Sequence, residues 1–109
     1  MRDTSELTAA VERFADRLRA APQSRLKQAG AAEGLALARE LAVRAQRAED
    51  PEREPRIMPD AGLFAVGDQL AVAGNDLAEI LRTAPAGSHE GELGEAVRLV
   101  REAAERAGL

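Results

Sequence analysis

Apolar residues recur along most of the chain at alternating steps of three and four, the period of an amphipathic helix. The pattern is strongest from Ala61 to Thr83, where Leu63, Val66, Leu70, Ala73, Leu77 and Ile80 make a heptad-like stripe. On a helical wheel the apolar arc of this segment covers roughly 200°, wider than one surface stripe requires. Its large side holds Leu63, Val66, Leu70, Leu77 and Ile80; its small side holds Gly67, Ala71, Gly74 and Ala78. Such a helix predicts neighbours on two sides.

Three further helices follow from the same periodicity. The first is expected at about 4–21, with Leu7, Val11, Phe14, Leu18 and Ala21 in a narrow stripe. Asp3 and Glu6 resemble a capping box, Thr4 is an alternative cap, and Pro22 stops the helix. A narrow stripe predicts a peripheral position. The second helix is expected at about 25–48, capped by Ser24, with Leu26, Gly30, Gly34, Leu37, Leu41, Ala45 and Ala48 facing inward. Gly30 and Gly34 each cost roughly 1 kcal/mol relative to Ala in a helix interior. Either the helix breaks near Gly30 or a neighbour approaches closely there, and the intact helix is the expectation. The fourth, at about 89–107, is capped by Ser88 and closed by Gly108, with Glu102 and Arg106 as an i,i+4 pair.

Between the second and third helices lies PEREPRIMPD, residues 51–60. Its three prolines at spacing four forbid regular helix or strand and do not match the PxxP spacing that SH3 domains read. Extended, it reaches on the order of 30 Å, the length of a helix. The helices it joins can therefore run antiparallel, or parallel through an overhand crossing. Ile57 and Met58 are expected to tuck against Phe64. The elements add up to an all-α, single-domain four-helix bundle. Helices two and three are central, and Gly30 and Gly34 face Gly67 and Gly74 across a close-packed seam or a pocket.

Composition sharpens the picture in three ways. Alanine supplies 24 of the apolar residues and aromatic residues are 2% of the chain, so the core is built from small side chains. Arginine outnumbers lysine fourteen to one, a bias that with Ala, Gly and Pro points to a GC-rich bacterial genome. Cysteine is absent, which excludes disulfides, thiolate metal sites and cysteine nucleophiles. The net charge of −4 gives no strong pull toward nucleic acid. No apolar run approaches the roughly 20 residues of a membrane span. With no apolar leader after Met1, the expected location is cytoplasmic.

Few residues invite chemistry. His89 is the single histidine, and its neighbours Ser88 and Glu90 cannot face it on a helix, so no triad arises. Asp68, Asn75, Asp76 and Glu79 could hold a hard cation but read as a solvated face. Arg13, Arg17, Arg19, Arg25 and Lys27 make a basic stretch without interleaved aromatic residues for base stacking. No catalytic, cofactor or metal constellation emerges, and none is assigned. Val43, Val72 and Leu99 instead project onto polar arcs or flanks, the mark of a candidate interface. The sequence thus favours a non-catalytic interaction module that binds another protein or itself, as a homodimer. The alternatives are a small-ligand pocket near Met58, Phe64, Gly67 and Gly74, or a nucleic-acid accessory role for the basic stretch.

Overall fold

The first helix, α1 (Ser5–Ala20), starts where Asp3 Oδ1 accepts the Ser5 N–H at 2.9 Å. Glu6 does not complete a capping box; it pairs with Arg101 instead. In the computed structural model, which describes residues 2–109, three more helices follow. The second, α2 (23–49), is continuous but not uniform: Gln23–Arg25 and Ala31–Glu49 are α-helical, while Leu26–Gly30 is a π turn. The Ala31 N–H reaches back to the Leu26 carbonyl, so the helix accommodates an extra residue at Gly30 rather than breaking there. Its cap is Pro22, whose carbonyl accepts the Arg25 and Leu26 N–H groups; Ser24 lies inside the helix.

The third helix, α3 (Val66–Thr83), is preceded by a 3-10 turn, Leu63–Ala65. Helix therefore starts later than position 61. Asp60 Oδ1 accepts the Gly62 N–H, and Gly62 takes φ 99°, which favours glycine and breaks the helical path. The last helix, α4 (Glu92–Ala107), also starts late. The Ser88 hydroxyl is spent on the Pro85 carbonyl, the His89 carbonyl accepts the Glu92 N–H, and Gly91 at φ 80° is the cap. Gly108, in the left-handed region, closes the chain's final helix as expected.

Side-chain contacts fix the helix directions. Val66 packs at Gly34, while Ala42, Ala45 and Gln46 share a cleft with Asp76, Glu79 and Ile80, so α2 and α3 are parallel. Val11 packs on Gly74, Ala15 and Arg19 lie at Gly67, and Arg2 donates to the Leu81 carbonyl; α1 and α3 are antiparallel. Arg44 pairs with Glu92 and Arg106 with Glu33, so α2 and α4 are antiparallel as well. Glu6 meets Arg101, and Arg17 lies beside Gly108, which leaves α1 and α4 parallel.

The four helices form a ring in the order α1, α3, α2, α4. The sequential pairs α1/α2 and α3/α4 are diagonal and scarcely touch, whereas α2 and α3 are the most extensively packed neighbours. Accordingly α1 is not peripheral: Leu7, Val11, Phe14 and Ala15 are buried, and Phe14 is 1% exposed. Its narrow stripe suffices because alanines complete the arc at Ala10 and Ala15. The glycine pairing differs from expectation for the same reason. Gly67 and Gly74 receive α1, not Gly30 and Gly34, and a Cβ at Gly74 would stand 2.6 Å from Val11 Cγ1. Gly34 receives Val66 and Leu18, and Gly30 lies near Leu109.

Joining parallel neighbours requires the 50–62 connection to run back along α2. Side chains of the helices hold its backbone as it passes. Gln46 donates to the Arg56 carbonyl at 2.9 Å and accepts the Arg56 N–H at 2.8 Å. Arg39 Nε donates to the Met58 carbonyl at 2.8 Å, and Gln69 Nε2 to the Pro59 carbonyl at 2.8 Å. These bonds replace the ladder that prolines cannot make.

Two outcomes follow from this packing. Gly74→Ala should lower stability in urea unfolding, since overpacking costs about 1–3 kcal/mol and outweighs the better helix propensity. Gly94→Ala, where an added Cβ meets nothing within 4 Å, should instead raise stability by up to about 1 kcal/mol. A single proteolytic nick in the exposed stretch 51–54 should leave the two halves associated on a sizing column. Each half separated from the other should lose most of its helical circular dichroism.

Candidate functional site

A core built from alanine and leucine leaves few large apolar side chains outside. Among the described residues three are strongly exposed: Phe64 at 72%, Ile57 at 64% and Val72 at 60%. Phe64 belongs to the 3-10 turn, and the turn aims its ring outward before α3 begins. Ile57 sits on the 50–62 connection, a strap along α2, one residue before Met58, which is half-buried against the core. Ile57 and Phe64 therefore do not tuck away together; the strap's inward position is taken by Met58.

Val72 lies on the outward face of α3, between Asp68 one turn before it and Asp76 one turn after. Asp68 is held by Arg19 at 2.8 Å, which also pairs with Asp16. The hydrogen bond to Asp68, reinforced by its charge and by Asp16, raises the Arg19 guanidinium above its ordinary value. Glu79 is held by Arg82, whose hydrogen bond lowers its carboxyl below the usual range. The acidic residues of α3 are thus engaged as surface ion pairs, except Asp76, which has no ion pair among the described residues. Among these residues no group of three His, Asp or Glu is placed to hold a metal ion.

The other two interface candidates sit differently. Val43 on α2 is half-buried, and Leu99 on α4 is half-buried and packed against the core. Leu99 and Val72 stand on diagonal helices, so the two do not share a face. Gly30, Gly34, Gly67 and Gly74 line helix crossings filled by neighbouring side chains. A shallow cleft of about 310 Å³ remains between the π turn and the strap, lined by Leu26, Lys27, Leu35, Asp60, Leu63 and Val66. His89 is exposed in the turn before α4, at φ 54°.

The basic stretch is divided by the fold. Arg19 joins α3, and Arg25 donates to the Gly108 carbonyl at the end of α4. Arg13 and Arg17 remain on the rim of a groove between α1 and α4, one helical turn apart and without ion-pair partners among the described residues. Like charges at this spacing disfavour the helix by a few tenths of a kcal/mol. That groove has a floor of Ala10, Phe14, Val100 and Ala104 and a volume of about 340 Å³. Periodicity alone could not find it, because it exists only where two parallel helices meet.

Exposure separates the two phenylalanines. Phe64→Ser should change the urea-unfolding free energy by no more than about 0.5 kcal/mol, as at an ordinary surface site. Phe14→Ala should cost about 3–5 kcal/mol. In comparisons with known proteins, no family model, no curated protein and no solved structure matches this chain.

Proposed function

We propose that this protein is a small, non-catalytic helical interaction module that self-associates through the outer face of α3 and the adjoining strap, with a homodimer as the smallest product. The observation that carries the reading is the strong exposure of Phe64, Ile57 and Val72, where every other described large apolar side chain is buried or half-buried. Single exposed apolar residues are ordinary. Here two of them stand on one helix and its entry turn, with the third on the segment leading into it.

Magnitudes set the kind of association. Burying one such side chain completely contributes roughly 1.5–3 kcal/mol. Association costs about 4–15 kcal/mol in lost freedom. Three partly exposed side chains therefore support only a weak, concentration-dependent complex unless polar contacts add to it. A ligand pocket between α2 and α3 is less favoured. Its candidate lining residue Phe64 points outward, and its glycines are filled by α1, Gly67 by Ala15 and Arg19 and Gly74 by Val11. A nucleic-acid role is weakened by the engagement of Arg19 and Arg25 within the fold.

The test is the native mass as a function of concentration. The wild-type protein should exceed the 11.6 kDa of one chain as concentration rises, in light scattering and native mass spectrometry. Val72→Asp should hold it at one chain with helical circular dichroism unchanged. A variant that associates like the wild type would remove α3 from the interface.

A further inference from the structure

The charges on the outer face of α3 restrict what can sit there. Asp68 and Asp76 lie four residues either side of Val72. Two copies meeting α3 to α3 about a twofold axis at Val72 would lay Asp68 of one against Asp76 of the other. Asp68 already holds Arg19, so Asp76 is the one carboxylate of this face without an ion pair among the described residues; it calls for unengaged cations beside an apolar floor.

The molecule carries such a surface. The groove between α1 and α4 has Ala104 and Leu109 as its accessible apolar lining above the buried Ala10, Phe14 and Val100, with Arg13 and Arg17 on its α1 rim. On the α4 side Arg101 is already bound to Glu6, and Glu105 contributes one carboxylate. Beyond Arg101 and Glu105 a second shallow depression lies over Leu93, Gly94 and Val97, bordered by Glu6 and Glu102, and Gly94 has open space above it. The small Ala104 and Gly94 let a foreign helix come close, the geometry of helix-in-groove recognition. Arg13 and Arg17 are one turn apart, as Val72 and Asp76 are on α3. A helix that rests Val72 on the floor can therefore bring Asp76 to the arginine pair, and Arg–carboxylate contacts are strong when bidentate.

We infer that self-association is head-to-tail: the outer α3 face of one copy seats in the α1/α4 groove of a second copy, with Asp76 against Arg13 and Arg17. The inference rests on self-association through α3. Face and groove are different surfaces of one chain, so a copy that receives a neighbour still offers its own α3. Such heterologous contacts propagate into rings or open chains rather than stopping at two.

Two variants test this. Val72→Asp disables the face and spares the groove; Arg13→Glu with Arg17→Glu disables the groove and spares the face. All three positions are exposed, and circular dichroism checks that each variant keeps its helices. Each variant alone should stay a single chain by native mass spectrometry, while the wild type grows beyond two. Mixed in equal amounts, the two should form a dimer containing one of each and nothing larger. Asp76→Asn should weaken wild-type association about ten- to a hundredfold, the range for loss of charged hydrogen bonds. If the arginine double variant associates like the wild type while Val72→Asp is monomeric, the groove is overturned and self-association through α3 stands. If the mixture yields no mixed dimer, the head-to-tail arrangement is overturned. A wild type that stays monomeric, or a Val72→Asp variant that associates unchanged, overturns the α3 interface and the inference with it.

Discussion

Every apolar stripe in this protein is buried against a helix from the other half of the chain. The α1–α2 pair and the α3–α4 pair are each diagonal across the ring, and neither pair encloses a core. Leu7, Val11 and Phe14 need α3 and α4, and Leu35, Leu37 and Leu41 need the same two helices from the other side. Burial of apolar surface is the dominant favourable contribution to folding. In this topology almost none of it is available until both halves are in place.

That constraint explains the rest of the architecture. The parallel α2/α3 contact obliges the intervening chain to travel the length of a helix. A proline-rich segment can do so without competing for helix, but it leaves carbonyls that need donors. Arg39, Gln46 and Gln69 supply them from the two helices the strap joins. Gln69 shows the cost of the solution: its amide nitrogen reaches the Pro59 carbonyl, and its buried oxygen has no partner among the described residues. The glycines answer the same constraint. With so few bulky residues, contact between helices comes from close approach, as where Val11 fills the space above Gly74. The alanine-rich composition and the glycine positions are one design.

Helix existence, the all-α class, the long proline-rich connection and the Gly108 stop were legible in the sequence, because periodicity and local chemistry decide them. Start positions were less so. Ser24 and Ser88 are good caps in isolation, yet Pro22 and Gly91 hold those places, as backbone geometry outweighed side-chain preference. Partnership was not legible at all. A small face at Gly67 and Gly74 announces close approach, but whether α1 or α2 comes close depends on helix direction, which periodicity does not encode. Phe64 carries the same lesson. Its type and its place beside a hydrophobic stripe suggested burial, and a 3-10 turn set by Asp60 and Gly62 points it outward. Val72 was visible because a full helical wheel fixes its direction without reference to any neighbour. The Arg13–Arg17 groove was invisible as a shape, although its charges stood in plain view.

The diagonal arrangement also has a consequence for synthesis. As the chain leaves the ribosome, α1 and α2 emerge with their leucines facing nothing that can cover them. An ordinary antiparallel helical hairpin would begin to bury surface at that point; this one waits for α3. Contacts distant in sequence raise the entropic barrier to folding. The nascent first half therefore keeps its apolar stripes uncovered until the strap has delivered their partner.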